Sequence, residues 1–156
     1  MSEKSPFSKL DHIGVVVRNM DAVVEYYQSI GLGRFEPLGS GVKRIDQRMM
    51  GKPIDILSVI TPRIGRVGQI KVELIQPLGK TSLWQEFLDT KGEGIHHLAF
   101  SVDDIESEEA KFIERGLSNL FHFRFEGGGG GAYFDTRRIG GFVTEIVQWA
   151  PGMIKV

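Results

Sequence analysis

An internal repeat is the feature that most constrains how this 156-residue chain can fold. When the sequence is laid over itself, residues 11–17 fall on residues 96–102, and the register continues without a gap to Gly31 over Gly116. Self-similarity of this kind is typical of a supersecondary unit that occurs twice. We therefore interpret the chain as two copies of one module.

A second match supports the same interpretation. Residues 72–76 fall on residues 144–148, and both segments carry a glutamate within an apolar run. A module of about 70 residues buries too little apolar surface to be stable alone. We therefore expect a single domain, residues 1–156, with modules covering about residues 9–79 and 92–149.

Each module is expected to follow the order βαβββ. In the first, a short strand at 11–17 is followed by a helix that Asp21 caps and Gly31 ends. In the second, Asp103 or Asp104 caps the equivalent helix. Thr81 or Ser82 is expected to cap a short helix between the modules. The other strands are expected near 34–37, 42–48 with 54–60, and 69–76 in the first module, and near 120–125, 132–135 and 142–148 in the second.

Composition limits the function classes. Nineteen basic and twenty acidic residues give a net charge of -1, so we do not expect binding to nucleic acid or to a membrane through bulk charge. Cysteine is absent, so any metal must be held by nitrogen and oxygen ligands. The polar N-terminus shows no targeting segment, and we expect a cytoplasmic protein.

Two histidines and two glutamates occupy equivalent positions of the repeat. His12 and His97 lie on the first strands, and Glu73 and Glu145 lie on the last strands. Equivalent positions of two symmetric modules converge, which predicts a cleft with two imidazoles and two carboxylates, a ligand set for a divalent cation. Each residue taken alone is weak evidence for a metal site, because a packing or surface role would also explain it.

Four segments of the chain carry a family resemblance: Asp11–Val17, Val72–Gly79, Gly92–Ile105 and Gly140–Ile146. They resemble the vicinal oxygen chelate superfamily, which includes glyoxalase I and methylmalonyl-CoA epimerase. The resemblance covers about residues 9–149 and is closest to the epimerase branch from Pro77 through Ile105.

This resemblance implies an α+β fold in which two βαβββ modules form a cupped mixed sheet around a metal site. It implies one divalent ion, Zn, Ni, Co, Mn or Fe, and a metal-dependent isomerase or lyase that acts through a metal-stabilised enolate, most like methylmalonyl-CoA epimerase. A glyoxalase I-like lyase, an extradiol-type Fe(II) dioxygenase and a non-catalytic small-molecule-binding module are the alternatives. The implied ligands are His12, Glu73, His97 and Glu145.

The chain departs from the epimerase pattern at two places. Glu73 stands where epimerases often have glutamine, as in bacterial glyoxalase I. Epimerases also carry a glutamate base in a turn that here reads Met49-Met50-Gly51-Lys52-Pro53. The nearest acidic residue is Asp46, so Glu145 and Asp46 are the candidate catalytic residues.

Candidate substrate contacts are Tyr133, His122 and Arg137, and a structural role is the alternative for His122. Loop arginines such as Arg137 could take the phosphates of an acyl-CoA. The expected partners are a small-molecule substrate, which an acyl-CoA would satisfy, and a second copy of the chain in a homodimer. The glycine run 127–131 is interpreted as a mobile loop or as a lid over the cleft.

Overall fold

The computed structural model describes residues 5–38 and 41–153, which contain ten strands and three α-helices. Parallel and antiparallel strand pairs occur together, which confirms the expected α+β class with mixed sheet pairing. None of the helices in the described part of the chain is long and apolar enough to cross a bilayer. The elements are β1 (Leu10–Val16), α1 (Met20–Ser29), β2 (Phe35–Pro37), β3 (Arg44–Met49), β4 (Lys52–Pro53), β5 (Ile60–Val67), β6 (Ile70–Pro77), α2 (Leu83–Lys91), β7 (Gly94–Ser101), α3 (Ile105–Glu114), β8 (Asn119–Phe125), β9 (Gly130–Phe134) and β10 (Val143–Gln148).

The described residues divide into two compact units. The N-terminal unit contains residues 12–38, 41 and 55–96, and the C-terminal unit contains residues 5–11, 42–54 and 97–153. Strand order is β2-β5-β6-β1 in the first unit, and the second contains the corresponding series β8-β9-β10-β7. Both series follow βαβββ along the chain, and in both the first strand pairs in parallel with the last.

In the N-terminal unit, α1 packs on the sheet through its apolar stripe. The helix begins after Asn19, whose side chain accepts the N–H of Ala22. Asp21, expected as the cap, instead lies in the first turn, where a negative charge suits the helix dipole. The buried cluster consists of Val17, Met20, Val24, Phe35 and Leu74.

The helix expected between the modules is α2, and Ser82 caps it by accepting the N–H of Gln85. The rings of Trp84 and Phe87 lie 6.3 and 5.2 Å from that of His96. His96 is therefore a buried packing residue.

In the C-terminal unit, α3 covers one face of the sheet. Asp104 caps it by accepting the N–H of Ser107. The cluster under the helix consists of Val102, Ile105, Phe112, Ala132, Phe134 and Ile146. Because strand side chains alternate, the odd-numbered residues of β9 and β10 face away from α3.

The segment 42–48 was expected in the sheet of the first module, and this is wrong. β3 pairs with β8 and forms a hairpin with β4 in the C-terminal unit. Local sequence predicts that a segment is a strand, but its partner is chosen by contacts far away in the chain.

The strand expected at 54–60 is also wrong. Residues Ile56–Ser58 form a 3-10 turn, in which Asp55 accepts the N–H of Leu57, and the strand that follows is β5. Pro62 is tolerated in β5 because it lies beyond the last ladder pair with β2, where its carbonyl accepts the N–H of Leu38.

Much of the glycine run is a tightly packed hairpin. Gly130 and Gly131 belong to β9, and a Cβ on Gly130 would lie 2.3 Å from the backbone oxygen of Phe123. By contrast, a Cβ on Gly127 would meet nothing within 4 Å. Close strand approach therefore explains Gly130, whereas Gly127 has room for a side chain.

We expect Gly130→Ala to lower the free energy of unfolding by about 1–3 kcal/mol, because the new methyl group overlaps backbone that cannot move away. The control, Gly127→Ala, should change it by less than about 0.5 kcal/mol. Urea unfolding of both variants measures the difference. Equal stability of the two would contradict the packing explanation.

Candidate metal centre

A buried histidine and a buried glutamate form a pair in the N-terminal unit. His12 lies on β1 and Glu73 on the parallel strand β6, with 2% and 7% of their surfaces exposed. His12 Nε2 is 3.3 Å from Glu73 Oε2. The ladder sets Glu73 opposite Gly14, which has no side chain to compete with the carboxylate for space.

The C-terminal unit contains an equivalent pair. His97 on β7 and Glu145 on β10 are 0% and 3% exposed, and His97 Nε2 lies 3.2 Å from Glu145 Oε2. Glu145 is set opposite Ala99, the small residue that matches Gly14 in the repeat. Each unit therefore places one imidazole and one carboxylate on the same sheet face by the same register.

The chemistry of these pairs fits a divalent metal. Each of the four residues is buried and offers one ligand atom. A carboxylate removed from water is costly unless a partner or a cation compensates its charge. Imidazole nitrogen and carboxylate oxygen suit Mn, Fe, Co, Ni and Zn, and the set contains no thiolate that would favour softer ions.

Tyr133 lies beside the second pair. It faces Glu145 across the ladder between β9 and β10, and its hydroxyl is 3.5 Å from His97 Nε2. The residue is 4% exposed, and Phe121 holds its ring in an edge-to-face contact at 5.6 Å. Tyr133 thus presents a phenolic donor on the face that carries His97 and Glu145.

Asp46 and His122 lie together on the other face of the C-terminal sheet. His122 Nδ1 is 2.7 Å from Glu109 Oε1 of α3, and His122 Nε2 is 3.2 Å from Asp46 Oδ2. Burial opposes ionisation of Asp46, but contacts with Arg48 and His122 outweigh it and hold its pKa below the usual value. The structure does not bring Asp46 beside Tyr133.

A β-bulge explains where Asp46 points. Ile45 pairs with Arg124, but Arg48 pairs with His122, so β3 has one more residue than β8 between these pairs. In a regular ladder Asp46 would stand opposite Phe123, on the face of Tyr133. Its φ of 49° belongs to the bulge, which turns the carboxylate toward His122.

The interactions of Glu109 with His122 and Arg124 were missed by the sequence analysis. Burial raises the pKa of Glu109, but hydrogen bonds from His122 and Arg124 reverse the shift and lower it overall. The available signal was a glutamate on the apolar stripe of α3, between Ile105 and Phe112 at helical spacing.

Arg137, a candidate substrate contact, is exposed and forms two hydrogen bonds with the carboxylate of Asp135, each 2.8 Å long. The guanidinium lowers the pKa of Asp135. Any phosphate bound by Arg137 would compete with this local ion pair.

Comparisons with known proteins agree with this fold. The sequence pattern of the glyoxalase/bleomycin resistance protein/dioxygenase superfamily matches residues 11–134, so the chain belongs to that superfamily. The uncharacterized protein YqjC of Bacillus subtilis strain 168 is 23% identical over 143 residues, which cover 90% of this chain and 92% of that protein.

Solved structures of methylmalonyl-CoA epimerases share the fold. The epimerase of Mycobacterium tuberculosis superposes with a TM-score of 0.68 at 24% identity, covering 97% of this chain and 94% of that chain. A variant epimerase of Streptomyces coelicolor in complex with 2-nitronate-propionyl-CoA gives a TM-score of 0.63 at 21% identity, covering 90% and 96%. At these identities the likeness establishes the fold.

We expect Glu109→Gln to lower the free energy of unfolding at pH 7 by about 1–3 kcal/mol, because charged hydrogen bonds to His122 and Arg124 are weakened. Because the pKa of Glu109 is lowered in the folded protein, its carboxylate stabilises the fold fully at pH values above its ordinary pKa of 4.5. This stabilisation is lost as the pH falls further. The difference from wild type should therefore shrink below pH 4.5.

Urea unfolding at pH 7 and at steps below pH 4.5 measures this difference. The control is Glu126→Gln, which removes an exposed partner of Lys43 and should cost less than about 1 kcal/mol. A Glu109→Gln difference that stays constant with pH would contradict the assignment.

Proposed function

We propose that this protein is a divalent-metal-dependent isomerase or lyase that removes a proton next to a substrate carbonyl, most like methylmalonyl-CoA epimerase. In this proposal His12, Glu73, His97 and Glu145 hold one shared ion. The observation that carries it is the recurrence of a buried His–Glu pair, with spacings of 3.3 and 3.2 Å, at equivalent positions of both units.

Ligand number favours one shared ion over two separate ions. Each pair offers two ligand atoms, whereas catalytic zinc sites usually have three protein ligands and leave a position open. Two pairs together supply four ligands, and their two carboxylates neutralise a dication. Six-coordinate ions such as Mn²⁺ or Co²⁺ would then keep two positions for vicinal substrate oxygens.

The ion, when bound, would polarise a chelated substrate oxygen and so acidify the adjacent C–H. Glu145, which is also a ligand in this proposal, is the proposed base and would leave the ion to act as one. Its carboxylate takes the proton, and the electron pair of the broken C–H bond moves toward the neighbouring carbonyl oxygen. The hydroxyl of Tyr133 is positioned to donate a hydrogen bond on this face, and the buried ring of Phe121 packs against the ring of Tyr133.

The position of Asp46 bears on the choice of reaction. Epimerisation with two bases requires a second proton donor on the opposite side of the substrate carbon. Asp46 contacts His122 and Arg48 on the face turned toward α3, so we leave it out of the catalytic proposal. This favours, as a second candidate, a glyoxalase I-like lyase in which one base moves a proton between adjacent carbons.

The first substrate to test is an acyl-CoA thioester with an acidic α-proton. The fold is shared with methylmalonyl-CoA epimerases, one of them in complex with 2-nitronate-propionyl-CoA. Arg137 is retained as a candidate phosphate contact, whereas His122 is assigned a structural role because both of its ring nitrogens contact carboxylates. A homodimer remains our prediction.

Reconstitution with Mn²⁺, Co²⁺, Ni²⁺ or Zn²⁺ should give one ion per chain, measured by elemental analysis after gel filtration. His97→Ala should weaken metal binding by more than about 100-fold, because it removes a ligand nitrogen, whereas loss of a supporting residue alone typically costs about 10- to 100-fold. The control, His96→Ala, removes a buried imidazole that packs against Phe87 and should keep the metal. Two ions per chain would contradict the shared site.

Proton exchange tests the base. In D₂O the metal-loaded protein should exchange the α-proton of methylmalonyl-CoA, and Glu145→Gln should slow exchange by about 10²- to 10⁴-fold. Glu109→Gln changes a buried carboxylate outside the site and should exchange like wild type. Mass spectrometry measures the exchange.

Turnover of a methylglyoxal hemithioacetal without exchange of methylmalonyl-CoA would favour the lyase. Full activity of Glu145→Gln on both substrates would contradict Glu145 as the base.

A further inference from the structure

A glutamine follows each ligand glutamate at the same distance along the strand. Gln76 stands three residues after Glu73, and Gln148 stands three residues after Glu145. Each glutamine binds the start of a helix: Gln76 Oε1 accepts the N–H of Met20 at 2.6 Å, and Gln148 Oε1 accepts the N–H of Ile105 at 3.0 Å. The same interaction thus occurs once in each unit.

Strand geometry gives the two side chains different tasks. Residues three apart on a strand point to opposite faces, so each glutamate faces the metal side and each glutamine faces the helix side. The helix reached by the glutamine follows the histidine strand, and it begins eight residues after the histidine in both units. Each glutamine therefore connects the strand that carries its glutamate to the helix that follows the histidine strand of the same pair.

The bond also satisfies a backbone group that has no other partner within its helix. The first N–H groups of a helix have no intrahelical acceptor. Asn19 and Asp104 accept from Ala22 and Ser107, respectively, further along the first turn. The N–H groups of Met20 and Ile105 are left to the glutamines, in partly buried surroundings where an unmade hydrogen bond is costly.

We infer that Gln76 and Gln148 are positioning residues that set the spacing within each His–Glu pair and thereby the affinity of the metal centre. The inference rests on the proposed metal site. Each glutamine fixes how far the glutamate strand can slide along its parallel histidine strand, since the bond joins the end of one strand to the helix that follows the other. Residues that orient metal ligands in this indirect way typically contribute about 10- to 100-fold to affinity.

The test uses Co²⁺ as the probe. Gln76→Leu and Gln148→Leu should each weaken Co²⁺ binding about tenfold or more and alter the visible absorption of the bound ion. Gln76→Glu and Gln148→Glu should keep the Co²⁺ affinity within about twofold of wild type and keep the wild-type absorption. The reason is that a carboxylate accepts the same N–H and suits a helix N-terminus. Affinity is measured by titration and the fold is checked by circular dichroism.

Gln85→Leu is the matched control. Gln85 Oε1 accepts the N–H of Gly79 at 2.9 Å and thus also joins a helix to the end of a strand, but α2 follows β6 itself, so this bond does not tie β6 to β1, the strand that carries His12. Its replacement should lower the melting temperature and leave Co²⁺ affinity unchanged.

The outcomes separate the inference from the proposed function. Wild-type affinity in both leucine variants, or an equal loss in Gln85→Leu, would overturn the positioning role while leaving the metal site standing. Loss of Co²⁺ affinity in Gln76→Glu and Gln148→Glu would overturn the positioning role as well. These two variants therefore test the inference even if the leucine variants do not fold. Wild-type protein that binds no Co²⁺ would overturn the metal site and the inference together.

Discussion

The structure depends on two carboxylates that are removed from water. Glu73 and Glu145 lie inside sheets, where an isolated negative charge would be strongly unfavourable. Each is approached by an imidazole nitrogen at 3.3 or 3.2 Å and stands opposite a residue with little or no side chain, Gly14 or Ala99. The register of one parallel strand pair therefore decides, in each unit, whether the carboxylate has a partner.

The two faces of the C-terminal sheet carry separate chemistry. His97, Glu145 and Tyr133 share one face, which is the face of the proposed metal centre. On the other face, His122 joins α3 to the bulge of β3 through Glu109 and Asp46. Asp46 and Glu145, the two candidate catalytic residues, therefore lie on opposite faces of the sheet, and this bears directly on whether the proposed chemistry uses one base or two.

Much of the fold could be predicted because it repeats and because its signals are local. The internal repeat singled out His12 and His97 as equivalent residues, and Ser82 and Asp104 were each one of two adjacent residues expected to cap α2 and α3. The partner of β3 could not be predicted, since a short strand that mixes polar and apolar residues is compatible with pairing in either unit. The network around Glu109 was missed because a charged residue on an apolar stripe has no interpretation until its partners are known.

The sequence by itself determined the repeat, the order βαβββ and the equivalent placement of two histidines and two glutamates, because strand alternation and helix capping act over a few residues. Only the tertiary structure decided which way Asp46 faces. One extra residue between the pairs Ile45–Arg124 and Arg48–His122 moves its side chain from one face of the sheet to the other. Such a bulge depends on the partner strand, and the energies that select a partner come from contacts distant in sequence.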